Sequence, residues 1–185
     1  MNELELKSAL EEHHHIYYPL PLIKELISLG GTTLENTTTI IKEKFLKQAA
    51  PYILNDYQLV DNYGGVTFKG NILIIDPNQS LYSNGESKRF DNYHGLGAID
   101  ALFKAIKTEL NKDIEIWHYG SSAVTGIGQG VDEPVSSEAK VMTIIGICEK
   151  GNREKVYWGI GESSNALRSA VESLLTSINR YETQK

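Results

Sequence analysis

The chain has 185 residues, 41% of them hydrophobic and 23% charged, enough for one globular core and roughly one domain with some chain to spare. Eighteen Lys and Arg against 24 Asp and Glu leave a net charge of −6, which argues against nucleic acid and anionic lipid as partners. No run reaches the ~18 apolar residues of a membrane span, no basic and apolar leader follows Met1, and the single Cys148 can close no internal disulfide or Cys-based zinc site, so the expected compartment is the cytoplasm.

Residues 1–15 are polar and acidic and end in Glu11-Glu12-His13-His14-His15; they predict a loose helix at most. Leu22, Ile23, Leu26, Ile27 and Leu29 then suit a short amphipathic helix, begun by Pro21 and stopped by Gly30-Gly31. Thr32–Thr39 reads as a loop with a helix start near Thr37 or Thr38. A second short helix follows on Ile40, Ile41, Phe45 and Leu46 and ends near Ala50-Pro51, because the residue before proline avoids the α region. Residues 1–50 are thus expected to be a helical arm or linker, too short and polar to bury much alone.

From Tyr52 the pattern changes to strands. Ile53–Val60 alternates loosely, Gly64-Gly65 breaks it, and Val66–Asp76 follows with Ile72, Leu73, Ile74 and Ile75. A third strand is expected over Leu81–Phe90, interrupted at Asn84-Gly85. Gly95-Leu96-Gly97 comes next, then Ile99, Leu102, Phe103, Ile106 and Leu110 at offsets 0, 3, 4, 7 and 11, which are helical. The second half repeats this order. Ile114–Val124 is a strand running into the glycine-rich loop Thr125–Gly130. Ala139–Cys148 is apolar on both faces, as in a central strand. Val156, Trp158 and Ile160 alternate. Gly159-Ile160-Gly161 precedes a helix on Leu167, Val171, Leu174, Leu175 and Ile178. Residues 51–185 therefore read as a duplicated βββα unit of about 60 residues, with the second helix starting about one turn later relative to its glycines.

Three stretches of this body resemble the C-terminal regulatory domain of the α-isopropylmalate synthase and citramalate synthase family. Gly95-Leu96-Gly97-Ala98-Ile99-Asp100-Ala101 with Ala105-Ile106 is similar to the family's G-x-G-P-I-D-A-x-x-x-A-I. Tyr119-Gly120-Ser121-Ser122-Ala123-Val124-Thr125-Gly126 is similar to its Y-x-x-x-A-V-T-G. Val156-Tyr157-Trp158-Gly159-Ile160-Gly161 and Ser177-Ile178-Asn179-Arg180 are similar to its V-W-G-V-G and A-V-N-R. The likeness covers roughly residues 52–181, and Ala98 stands where the family has proline. It implies an α+β fold of duplicated βββα units forming a regulatory-domain-type dimer, preceded by the short helical arm. Sheets facing inward, helices outside and dimerisation through the sheets are the expected arrangement. The family's catalytic TIM barrel of about 250 residues is expected to be absent from this chain and to be a partner in cis or in trans, so no activity is expected from this chain alone.

The resemblance also implies an effector site for a branched-chain amino acid: leucine, or isoleucine as in citramalate synthases. Gly95 and Gly97 open a helix after a strand, where free N–H groups at the positive end of the helix can meet a carboxylate; Asp100 can favour the dipole itself or hold an ammonium beside that anion. The alternative is a tight turn needing positive φ and holding no ligand. Ile116, Tyr119 and Ala123, with Ile99, would wall an apolar pocket; the alternative is ordinary core packing. These three strand positions do not share a face by simple alternation, which predicts a bulge or bend near Gly120. The loop Thr125–Gly130 is either a flap over the pocket or a connector.

Other chemistry finds little support. His13-His14-His15 lacks the convergent ligands of a metal site and reads as solvated histidines near a terminus. His94 and His118 read as packed or hydrogen-bonded residues, Cys148 as a small buried hydrophobe and Ser163-Ser164 as a helix N-cap. No G-x-S-x-G elbow, P-loop, Rossmann fingerprint or EF-hand occurs, so no catalytic residue, cofactor or metal is assigned. A homodimer sensing leucine is the leading expectation, and a scaffold domain that no longer binds an effector the second.

Overall fold

The structure is a computed structural model and describes residues 1–46, 50–75, 85–124 and 140–185. Three helices lead: α1 (Glu3–His14), α2 (Leu20–Ser28) and α3 (Leu34–Lys44). Two antiparallel sheets follow, each with its helix: β1 (Tyr52–Asn62), β2 (Gly65–Ile74), β3 (Glu86–Gly95) and α4 (Ala98–Glu109), then β4 (Ile114–Val124), β5 (Lys140–Glu149), β6 (Asn152–Ser163) and α5 (Ala166–Gln184). The fold is the α+β duplication of βββα units read from the sequence, with β2 and β5 central. No helix among the described residues is long and apolar enough to cross a membrane.

Several boundaries differ from the sequence reading, each for a local reason. Residues 3–14 form a full helix because Asn2 and Glu5 make a capping box: the Asn2 side chain accepts from Leu4 and Glu5 N–H, and Glu5 accepts from the Asn2 N–H. Helix α3 starts three residues before Thr37, because Thr33 is its N-cap and exchanges bonds with Asn36. The third strand begins at Glu86; residues 81–84 of the expected strand, and Ala139 of the fifth, lie outside the described residues. The N-cap of α5 is Asn165, which accepts from Arg168 N–H, while Ser163 only receives the Asn165 N–H.

The helices do not sit outside. Helices α4 and α5 touch, and one buried cluster joins Leu102 and Ile106 of α4, Leu174 and Ile178 of α5, Phe68, Ile72 and Phe90 of the first sheet, and Ile145 and Ile147 of the second. Asn179 fastens the units together: its side chain accepts from Tyr52 N–H and donates to Tyr52 carbonyl, both at 2.9 Å, as a neighbouring strand would. Helix α5 is buried nearly all round. It approaches β6 so closely that a Cβ on Gly159 would collide with the Ser173 carbonyl, and one on Gly161 with the Ser169 carbonyl. The hydroxyls of Ser169 and Ser173 donate to the Gly161 and Gly159 carbonyls at 2.9 and 2.8 Å.

The arm is docked on the second sheet. A second cluster joins Leu6, Leu10, Tyr18, Leu22, Ile23, Leu26, Ile41 and Phe45 to Met142 and Ile144 of β5 and Trp158 and Ile160 of β6. Alternation explains this division of one sheet. Ile145, Ile147 and Tyr157 point to α5, and Met142, Ile144, Trp158 and Ile160, at the alternate positions, point to the arm. The sheet is therefore apolar on both faces and covered on both. Phe45 and Leu46 also close its β6 edge, where Ile160 N–H donates to the Phe45 carbonyl at 2.9 Å. Arg180, 2% exposed, ties the arm to α5: it donates to the Trp158 carbonyl at 2.8 Å and to Glu25 of α2 at 2.5 Å, and lies over the Phe45 ring.

Candidate effector site

The first half of the candidate site is the turn from β3 into α4. Gly95 is buried at the end of β3 and pairs with Val66; a Cβ there would collide with the backbone nitrogen of Ala101. Its glycine is required by helix-on-strand packing. Gly97 is the N-cap of α4 with φ −153°, extended backbone that any residue adopts, and open space surrounds the position of its missing Cβ. Neither glycine needs the left-handed region, so the alternative of a positive-φ turn does not describe this turn. No side chain caps α4 from the Gly97 position.

Asp100 stands in the first turn of α4 and is already engaged. Its carboxylate accepts from the Leu96 N–H at 2.9 Å and from the Lys104 ammonium at 2.8 Å. Lys104, reinforced by the Leu96 N–H, holds the Asp100 carboxyl below its usual range against a smaller opposing effect of burial. Of the two uses read from the sequence, Asp100 serves both within the chain itself: a negative charge at the positive helix end, and a holder of an ammonium group. An external amino acid would have to displace Lys104 from it. Ile99 is half-buried and packs against the shared core.

The second half is β4. The expected irregularity exists, three residues earlier than Gly120. The pairing of β4 with β5 shifts between Ile116 and His118, so Trp117 is the extra residue. This bulge restores one face. Ile116, Tyr119 and Ala123 stand opposite Ile147, Ile145 and Val141, residues two or four apart on β5, and so all three face the α5 side of the sheet. Helix α5 lies over β6 and β5. Ile116 reaches the shared core and is half-buried, but Tyr119 is 52% exposed and Ala123 is exposed. On the same face Ser121 and Thr143 share a hydrogen bond at 3.1 Å, and Ser169 of α5 donates to Thr143 at 2.9 Å. The strip is apolar at Ile116, aromatic at Tyr119 and hydroxyl-lined beyond. The loop 125–130, read as flap or connector, lies outside the described residues. A cavity of about 350 Å³ opens along residues 56–58, 69–71 and 89–91 of the first sheet and shares none of the candidate residues.

The histidines divide. His94 meets the Gly64 carbonyl at 3.2 Å, and His118 is packed among Tyr17, Trp117 and Trp158, with burial lowering its pKa, as the sequence reading had them. His14 is not a solvated residue: it is 7% exposed, its Nδ1 lies 2.7 Å from the Tyr18 hydroxyl, and burial lowers its pKa to about 4. Leu6 and Leu10, one helical turn apart, were the signal that this end of the chain turns inward. Among the described residues no three His, Cys, Asp or Glu side chains stand close enough to hold a metal ion. Cys148 is buried, and burial followed by the nearby Glu115 carboxylate raises its thiol pKa.

Sequence comparison agrees with the residues quoted above. The model of the LeuA allosteric (dimerisation) domain family matches residues 33–182, from the N-cap of α3 to the last turn of α5. No curated protein matches the chain. The match spans most of the sequence, and the chain belongs to the LeuA allosteric (dimerisation) domain family, with its regulatory and dimerising role in LeuA-type enzymes.

Proposed function

We propose that this LeuA-family domain senses a branched-chain amino acid, leucine first, on behalf of a 2-isopropylmalate synthase-type acyltransferase in the cytoplasm. In this reading residues 1–50 are an arm, residues 51–185 are the regulatory domain, and the catalytic barrel is supplied in cis or in trans. The chain alone condenses no acetyl-CoA with a 2-oxo acid. Leucine binding one arrangement of the dimer better than another shifts the population toward it, and feedback inhibition is the coupling free energy between that site and the barrel.

The observation that carries the reading is the bulge at Trp117. It sets Ile116, Tyr119 and Ala123 on one face of β4, beside the cover of α5, where an aliphatic side chain would meet Ile116 and the Tyr119 ring. The N-terminus of α4, with no side-chain cap at Gly97, supplies N–H groups for a carboxylate. Gly95, Ile99 and Asp100 fix that turn against the core.

The second reading, a scaffold that no longer binds an effector, is favoured by one feature: Lys104 and the Leu96 N–H already occupy Asp100. Titration calorimetry of the full chain with leucine, isoleucine and valine separates the two. Saturable heat with leucine, weakened by Tyr119→Ala, is the expected result. Silence with all three amino acids leaves the scaffold.

A further inference from the structure

The arm is held to the second sheet unevenly. Helices α1 and α2 lie outside residues 33–182, the part that matches the family, yet they supply much of the cover over Met142, Ile144, Trp158 and Ile160. Among the described residues neither helix makes a backbone hydrogen bond to a βββα unit; the bond of the Phe45 carbonyl with the Ile160 N–H comes after the end of α3. The two helices are joined to each other: Glu11 of α1 accepts from the Tyr18 N–H, just before α2, at 2.9 Å. A segment attached mainly by side-chain packing opens more readily than a core element whose backbone bonds tie it to its neighbours.

One charged link crosses this seam. Arg180 starts from α5, on one face of the second sheet, and reaches Glu25 of α2, on the other. It is the single ion pair among the described residues between the arm and the two βββα units. On the way it donates to the Trp158 carbonyl and lies 3.9 Å over the Phe45 ring. The Arg180 side chain is 3% exposed and that of Glu25 is half-buried. Removing one partner of such a pair is strongly destabilising, because the other is left as an uncompensated buried charge. Docking of the arm and burial of the Arg180 charge are therefore one event. The residue before it, Asn179, holds α5 to Tyr52 of the first unit. Two adjoining side chains of α5 thus grip two different parts of the chain.

We propose that residues 3–28 are a releasable strap over the second sheet, latched by Arg180, so that a displacement of the last turns of α5 frees the strap and uncovers Met142, Ile144, Trp158 and Ile160. The docked and released strap are the two states, and the seating of Arg180 against Glu25 is the contact that only the docked state makes. A shift of α5 against Tyr52 moves Arg180 with it, and through Arg180 it reaches the arm. None of the latch residues belongs to the candidate effector site, so silence in the leucine titration leaves the latch standing.

Amide hydrogen exchange of the full chain tests it. Glu25→Gln removes the charge of the half-buried partner and is expected to speed exchange of amides 3–28 about tenfold or more, while the amides of β5 keep their protection. Asn179→Ala, at a side chain that meets the first unit and not the arm, is expected to speed the same amides. Added to Glu25→Gln it should speed them little further, because the latch is then already open. Amides 3–28 that exchange in Glu25→Gln as in the wild type would overturn the proposal. So would an Asn179→Ala variant that loosens β1 alone, or two substitutions whose effects on the arm simply add. Should Asn179→Ala fail to fold, Glu25→Gln decides the matter by itself.

Discussion

The two βββα units share a topology and differ in what covers them. The second sheet is apolar on both faces, with α5 on one and the arm on the other. The first sheet has α4 on its inner face, and its outer face is set largely by Asp56, Gln58, Lys69, Asn71 and Arg89, which register places in rows across the three strands. A duplicated fold has thus taken two solutions to the same problem of an open sheet face. One half has a largely polar face; the other has an apolar one that, within the chain itself, the arm already covers. The face that needed a cover already has one, and the face that lacks one does not need it.

The largest effect should come from breaking the covered face. Trp158 is 1% exposed and lies between the arm and β5, with its ring edge-on to Trp117. Trp158→Ala is expected to cost about 3–5 kcal/mol in denaturant unfolding, through the cavity it leaves and the loosened arm. Lys69→Ala, on the bare face of the first sheet, should stay within about 0.5 kcal/mol. Comparable losses at both positions would mean that the two faces are not the opposites described here.

The two Gly-x-Gly turns sharpen the contrast. In the second unit both glycines lie inside β6 and are there because the α5 backbone presses on them. In the first unit Gly95 has that role against Ala101, and Gly97 faces open space. Gly161→Ala should destabilise by about 3 kcal/mol or more, since backbone stands where the methyl would go. Gly97→Ala, in extended backbone with room for a Cβ, should cost about 0.5–1 kcal/mol, as expected for replacing glycine by alanine at an N-cap. Thermal melts of both variants check this. If Gly97→Ala leaves the fold unchanged but abolishes leucine heat, the turn serves the ligand rather than the fold.

Periodic residues made most of this architecture readable. Val141 to Cys148 is apolar on both faces apart from Thr143 and Gly146, and that run is the central strand β5, buried on both faces. The offsets of Ile99, Leu102, Phe103 and Ile106 mark α4 because its buried face recurs every turn. Helix α1 was hidden for the opposite reason: Leu6 and Leu10 are its main buried apolar residues in a charged stretch, and its start depends on a two-residue cap, Asn2 with Glu5. Strand β3 is mostly polar because its outer side chains meet water, so its beginning leaves little trace. At the candidate site the composition was legible and the geometry was not. That Ile116, Tyr119 and Ala123 share a face depends on where the extra residue falls, and a bulge at Trp117 is a property of how β4 registers with β5. The roles of Asn179 and Arg180 were equally out of reach, since their partners Tyr52 and Glu25 are 127 and 155 residues away.

A smaller effect separates the two sheets by acid. His14 is buried between α1 and the second sheet, with its Nδ1 against the Tyr18 hydroxyl, which itself lies 3.7 Å from the Met142 sulfur. Burial, followed by the neighbouring His13, drives its pKa down to about 4 against an opposing pull from Glu162. The folded chain therefore keeps the ring neutral, while the undocked arm takes up a proton near pH 6.5. The stability this lends the arm is complete above pH 6.5 and is lost as the pH falls from 6.5 toward 4, by about 2 kcal/mol after allowing for partial solvation. Trp158, whose ring lies under the arm, reports the change, so its fluorescence and the amide exchange of residues 3–28 should respond across that range. The first sheet has no buried histidine, and His94 on its surface shows no matching burial, so exchange in β2 should stay flat until the whole domain unfolds. His14→Phe, which keeps a ring in the same space without a proton to gain, should flatten the arm's response. Acid that loosens both sheets together would show the arm and the first unit to be one cooperative body, and the division drawn between their two faces would then describe packing without describing stability.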